Sequence, residues 1–208
     1  DNAVLQMHVT ANETGFEWSR KPAPEILKIA VKKIEADIGK VLPRGYQSEV
    51  SLALPDWIGQ IANCLHNGLV LLFDYGVSRR EYYSHDRNQG WLRCHLRHHA
   101  HNEPLIYPGI QDVTSWVDFT AIAESATYHD LDVTGYVTQA HFLINGGLEE
   151  ELIGIADLPV DDQFELLRQV KLLTLPGEMG ENFKCIGLNR GSLTGITAFS
   201  SIDRAHVL

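Results

Sequence analysis

Five consecutive apolar residues, Leu69-Val70-Leu71-Leu72-Phe73, run into Asp74-Tyr75-Gly76, and no other stretch of the chain restricts its fold as strongly. An apolar run of this length, without alternation, suits a strand covered on both faces, as in a parallel sheet sandwiched by helices. The residues before it agree. Asp56 can cap a helix whose face is Ile58, Ile61, Ala62 and Leu65, with Gly68 as its stop. A helix feeding a buried strand is half of a βαβ unit, so the expected class is α/β. In open sheets of that class ligands bind beyond the carboxyl ends of the strands, which makes Asp74 and Tyr75 candidates. The competing reading gives Asp74 only a local duty, capping a turn in which Gly76 supplies a positive φ. Pattern alone weighs the two evenly.

Around this centre, Leu5, Met7 and Val9 alternate with Gln6, His8 and Thr10, which predicts a half-buried strand. Phe16 to Trp18 returns beside it after a turn at Asn12 to Gly15. Pro22 and Pro24 open a helix carrying Leu27, Val31, Ile34 and Ile38, stopped by Gly39. Tyr46 to Leu54 predicts a strand. Further on, Asp118 caps a helix with Phe119, Ile122, Ala123 and Ala126 on one face, and Tyr136 to Ile144 begins as a strand. Asp162 and Glu165 form a capping box for a helix bearing Leu166, Val170 and Leu173. Phe183 to Leu188 and Ile196 to Phe199 predict two late strands. Residues 77–117 are polar, rich in His and Arg, and lack a helical period, so they read as an insertion or lid on one α/β unit spanning 1–208.

Charge narrows the partners. Lys and Arg total 17 against 27 Asp and Glu, a formal charge of −10, which disfavours general nucleic-acid binding because phosphate contacts need a basic patch. Three widely spaced cysteines, Cys64, Cys94 and Cys185, argue for a reducing compartment rather than a disulfide framework. The first residues lack the basic start and apolar core of a signal peptide, and no apolar run reaches membrane-spanning length. The expected location is the cytoplasm, or the mitochondrial matrix in a eukaryote.

Three more clusters carry polar chemistry. Pro108-Gly109 makes a turn that can present Gln111 and Asp112; Asp112 has no evident structural duty, whereas Asp118 is explained as a helix cap. In Gly45-Tyr46-Gln47-Ser48-Glu49 a glutamate falls within a predicted strand, where facing solvent is the ordinary explanation. Cys94-His95-Leu96-Arg97-His98-His99-Ala100-His101 invites a metal reading, but it holds neither CxxC nor HExxH, and Arg93 and Arg97 add positive charge beside any cation. The favoured reading is a polar, partly exposed segment. The chain shows no nucleophile elbow, P-loop or GxGxxG.

Taken together in order, whole blocks of the sequence resemble the MidA-type S-adenosylmethionine-dependent methyltransferases. They are Gly45-Tyr46-Gln47-Ser48-Glu49-Val50, Leu72-Phe73-Asp74-Tyr75-Gly76, Glu81-Tyr82-Tyr83 through Asp86-Arg87, and Cys94-His95 with His98. Pro108 to Thr114, Val117-Asp118-Phe119-Thr120, Thr138-Gln139-Ala140 with Phe142-Leu143, and Glu178-Met179-Gly180-Glu181 with Phe183-Lys184 continue the series. The resemblance implies the C-terminal part of a class I, Rossmann-like methyltransferase fold, in which Leu69 to Tyr75 is the fifth strand. The segments near Tyr136 and Phe183 would form its final antiparallel pair, and 77–117 the family's insertion over the active site. The family's glycine-rich cofactor loop lies upstream of every matched block, so the main cofactor-binding residues are expected outside this chain. Trp91 and Trp116 depart from the family's Thr and His.

The implied reaction is methyl transfer from S-adenosyl-L-methionine, without a metal, to an arginine of a protein substrate; the family's mitochondrial members act on a respiratory complex I subunit. A guanidinium pairs with carboxylates through bidentate hydrogen bonds. Glu49, Asp74 and Asp112 are the expected catalytic carboxylates, with Tyr75, His95 and Gln111 orienting them or walling the pocket. One alternative makes this part a non-catalytic docking lobe for a partner protein. A more distant one is a metal-dependent hydrolase using His95, His98, His99 and His101.

Overall fold

The computed structural model describes residues 3–191 and 195–208. In chain order it runs β1 (Leu5–Asn12), β2 (Gly15–Pro22), α1 (Glu25–Ile38), α2 (Leu54–Cys64), β3 (Gly68–Val77), α3 (Arg79–Tyr82), β4 (Arg93–Leu96), β5 (His99–His101), β6 (Asp112–Thr114), β7 (Val117–Asp118), α4 (Phe119–Tyr128), β8 (Asp132–Thr138), α5 (Gln139–Asn145), α6 (Leu148–Glu151), α7 (Val160–Thr174), α8 (Met179–Asn182) and β9 (Phe183–Arg190). The chain divides into two units. Asp1–Leu52 joins Arg79–Trp116 in one, and Ala53–Ser78 joins Val117–Leu208 in the other.

The second unit is built on a four-stranded sheet in the order β7-β3-β9-β8. The pairs β3–β9 and β8–β9 are antiparallel, and β7 lies parallel to β3 at Gly76 and Val77 alone. One face carries the core, where Ile58 and Ala62 of α2 and Phe119, Ile122 and Ala126 of α4 close over Ile186, Leu188 and Tyr136. The α2 and α4 patterns predicted this face; the α4 start is as expected and the α2 start differs. Ala53 rather than Asp56 is the N-cap of α2, with Pro55 in its first turn, while Asp118 caps α4 by accepting from the Ala121 N–H at 3.2 Å. The opposite face buries Val137, Cys185 and Phe199 beneath α5.

The apolar run does form a strand, but not one covered on both faces. Leu71, Phe73 and Tyr75 are exposed, with Phe73 meeting Phe142 edge-on at 4.9 Å. Over Gly68–Tyr75 the side of β3 away from β9 has no strand beside it among the described residues. Gly76 is not a positive-φ turn residue either. It continues the strand, and its missing side chain makes room for the Val117 carbonyl and the Phe119 ring.

Arg190 fastens the helix ends of this unit. Its guanidinium donates to the carbonyls of Ala62 and Leu65 at 2.5 and 2.9 Å, and to His129 and Asp130 at 2.6 and 3.3 Å. One cation thereby satisfies carbonyls that the C-termini of α2 and α4 leave without intrahelical partners. Two late expectations are corrected. Pro159 precedes α7, so Asp162 lies within the first turn instead of capping it and the expected capping box does not form; Glu165 pairs with Arg168 at 2.8 and 2.9 Å. Ile196 to Phe199 is not a strand but ends in a 3₁₀ turn over Thr197–Phe199.

In the first unit, β1 and β2 form a hairpin in which Val9 faces Trp18 and Ala11 faces Phe16. The register gathers Leu5, Met7, Val9, Phe16 and Trp18 on one face, and that face is the exposed one. The strand expected over Tyr46 to Leu54 does not form: residues 46–51 lie outside regular structure with only Gln47 bridging, to Gln89, and the chain then turns at Leu52 and Ala53 into α2, which begins at Leu54. A three-stranded sheet in the order β5-β4-β6 completes the unit. Arg79, almost fully buried, ties α3 to α1 through Asp37, which also accepts from Lys33 at 2.7 Å.

Candidate functional site

The first unit holds four of the six candidate residues. Glu49 lies in the irregular segment before α2, and its Oε2 accepts the Trp91 N–H at 2.9 Å. Its backbone carbonyl accepts from the Tyr83 hydroxyl at 3.0 Å. Gly90 sits at φ +76°, a left-handed backbone that favours glycine, and a Cβ there would come within 2.5 Å of Glu49 Oε1 and push that carboxylate aside. Trp91 is buried: its indole N–H donates to the Tyr82 carbonyl at 2.9 Å, its ring stacks on Trp116 at 4.4 Å, and the Arg87 guanidinium lies 4.1 Å from its centroid. Tyr46 donates to the Ser84 carbonyl at 3.0 Å, and burial with the Glu49 charge pushes its phenol up to about 12. Sequence reasoning registered Trp91 and Trp116 only as departures and passed over Gly90. A glycine and two tryptophans in an otherwise polar stretch were the available signal.

Asp112 and His95 are directly opposed across β6 and β4, so both project from one face of the small sheet, and both are exposed. The four histidines of the rich segment do not converge. Arg97 and His98 have φ of 49° and 68° and make a two-residue hairpin turn, while His99 and His101 fall on the face opposite His95. Among the described residues no group of three His, Cys, Asp or Glu is placed to hold a metal ion. Cys94 is fully buried; burial, then the charges of Asp112 and Glu103, raise its thiol pKa. Gln111 acts as a clip, its amide donating to the carbonyls of Pro104 at 2.8 Å and Ile106 at 2.6 Å.

The other two candidates belong to the second unit. Asp74 and Tyr75 lie near the carboxyl end of β3, opposite Lys184 and Phe183 of β9. Asp74 is exposed at its rim, and its Oδ1 accepts the Tyr75 N–H at 2.7 Å. Partial burial raises its carboxyl pKa, with that N–H working the other way. The Tyr75 ring packs on Phe183 at 3.9 Å. A separate groove of about 380 Å³, lined by Trp57, Gln60, Ile61, Cys64, Leu65 and Val70, is mostly apolar. Gln60 is its single amide, so it does not fit a ligand that carries both a ribose diol and an aminocarboxylate.

Residues 1–137 match a family model described as "Putative S-adenosyl-L-methionine-dependent methyltransferase". A Drosophila melanogaster relative, "Protein arginine methyltransferase NDUFAF7 homolog, mitochondrial", is 28% identical over 149 residues, which is 70% of this chain and 32% of the relative. Two crystal structures of Burkholderia thailandensis proteins share the architecture. One is a native structure of an uncharacterized protein, with TM-score 0.86 and 32% identity over 98% of this chain and 54% of that one. The other was solved bound to S-adenosyl-homocysteine, with TM-score 0.87 and 33% identity over 99% of this chain and 52% of that one. The chain therefore spans about a third of the curated relative's length and about half of each solved structure.

Proposed function

The chain belongs to this methyltransferase family, and we propose that it forms the C-terminal part of an enzyme that transfers a methyl group from S-adenosylmethionine to an arginine of a protein. The observation that carries the reading is the match, over 99% of the chain, to a protein crystallised with S-adenosyl-homocysteine, the compound that S-adenosylmethionine becomes on giving up its methyl group. The arginine substrate rests on the Drosophila relative's name. When bound, S-adenosylmethionine supplies an electrophilic methyl group, and direct displacement asks the protein chiefly for positioning. The apolar groove in the second unit does not fit the methyl donor, so we place its binding residues in the part of the relatives' length that this chain does not span.

In the second unit, Asp74 is the proposed acceptor for guanidinium N–H groups, held by the Tyr75 N–H and walled by the Tyr75 ring. In the first unit, Asp112 and Glu49 are proposed for the same chemistry. His95 shares the face of Asp112, and Gln111 holds the loop that leads to it. Glu49 has a second duty as a positioning residue, because its Oε2 fixes the Gly90–Trp91 turn. Calorimetric titration with S-adenosyl-homocysteine tests the division of labour. The full-length protein should bind in about the micromolar range, near −8 kcal/mol, and residues 1–208 alone should show no heat of binding. Tight binding by residues 1–208 would overturn the placement of the cofactor residues. Absence of binding by the full-length protein would overturn the function.

A further inference from the structure

The helix α7 packs one side inward and leaves a second apolar stripe outside. Gln163, Leu166, Val170 and Leu173 are half-buried, whereas Val160, Phe164 and Leu167 are exposed by 63%, 70% and 43%. The exposed three, with Lys171, follow at i, i+4, i+7 and i+11, so they lie along one line of the helix surface. An exposed aromatic adds little to helix stability. A continuous apolar line on an otherwise charged helix is the pattern of a surface that a partner covers.

Charge selects the partner. The acids Asp161 and Asp162 occupy the first turn of α7, while Arg168 and Lys171 lie toward its C-terminus. A second copy of the same helix laid parallel would set like charges side by side. Laid antiparallel across a two-fold axis, it sets Phe164 against Leu167 of the second copy and Val160 against the stem of Lys171. The Lys171 ammonium then reaches Asp161, and Arg168, paired with Glu165 of its own helix, lies toward the same acidic end. The chain as a whole is acidic, 27 Asp and Glu against 17 Lys and Arg, so a self-contact that sets opposite charges together is favoured over one that sets like charges together. We propose that α7 is the contact of a homodimer, in which two copies pair antiparallel through Val160, Phe164 and Leu167.

Two 15-residue helices bury less than the surface of a standard stable interface, so the dimer should form in about the micromolar range. Sedimentation equilibrium of the full-length protein across about 1 to 100 μM brackets that range. Wild type should show a monomer–dimer equilibrium, and Phe164→Glu should weaken it about 30-fold or more, as expected for loss of a central aromatic. The reversals Asp161→Lys with Asp162→Lys, and Arg168→Glu with Lys171→Glu, should each weaken self-association. Mixed in equal amounts the two variants should recover a heterodimer, a result that misfolding cannot produce. A protein that stays monomeric, a dimer indifferent to Phe164→Glu, or a mixture without recovery would each overturn the proposal.

Discussion

The two units are held together by different physics. The sheet unit owes its order to apolar burial: Ile58, Phe119, Ala126, Ile186 and Leu188 are all at or near zero exposure beneath α2 and α4. The lobe has few residues of that kind. It is closed by directional links instead, from Arg79 to Asp37, from Tyr46 to Ser84, from Trp91 to Glu49 and Tyr82, and from Gln111 to two carbonyls. Apolar burial is non-directional and tolerates exchange of one hydrophobe for another, whereas a hydrogen bond fixes one donor against one acceptor. A unit built this way fixes the side chains that make those links.

The contrast can be broken at its strongest point first. Phe119→Ala, which empties a fully buried site beside Tyr136, should lower stability by about 3–5 kcal/mol. The loss of hydrogen-exchange protection should concentrate in β3, β8 and β9. Arg190→Ala should remove about 2–3 kcal/mol, because it leaves the carbonyls of two helix ends without their charged donor; denaturant melts read this directly. Glu49→Ala should remove about 1–2 kcal/mol by depriving the Trp91 N–H of its acceptor. Its signature is a changed tryptophan fluorescence and lost exchange protection around residues 79–116, with the sheet unit unaffected. If exchange in the sheet changed equally, the distinction between the units would fail.

The smallest expected effect concerns pH. Burial works against ionisation of Asp37, but Lys33 and Arg79 outweigh it, so its folded pKa lies below the ordinary 3.8. A depressed carboxylate contributes stability that is present above the unfolded pKa and is lost as pH falls through the folded one. Asp37→Asn should therefore reduce lobe stability near neutrality and flatten its decline below about pH 4. Acid titration followed by tryptophan fluorescence checks both. Because Asp37 is partly solvated, the effect should be modest and should shrink in salt.

How much the sequence revealed follows the same division. The periods that marked α1, α2 and α4 were legible because each buries a stripe within its own element, whereas β9 is buried on both faces along its length. The short strands β4, β5 and β6 were not, since three or four residues carry no measurable period and their partners lie elsewhere in the chain. Tyr46 to Leu54 looked like a strand, but its polar groups are spent on individual links to residues 83–91 rather than on a ladder. Coverage of both faces of β3 was misread because a sequence period reports what a strand can bury, not what the described residues supply. Among the candidate residues, the place of Asp74 near a strand end was legible. The opposition of Asp112 and His95 depends on a register between segments about 17 residues apart. The grip of Glu49 on Trp91 was visible only in three dimensions.

The central claim is that Asp74 serves methyl transfer to arginine rather than only its own turn. The most direct test is transfer of labelled methyl groups from S-adenosylmethionine by the full-length protein into extract from a strain that lacks the gene, with amino-acid analysis for methylarginine. Wild type should produce methylarginine. Asp74→Asn should slow its formation by about 100-fold, equivalent to about 2.7 kcal/mol of transition-state stabilisation, while S-adenosyl-homocysteine binding stays intact. Label at undiminished rate from Asp74→Asn, or label on residues other than arginine, would contradict the account.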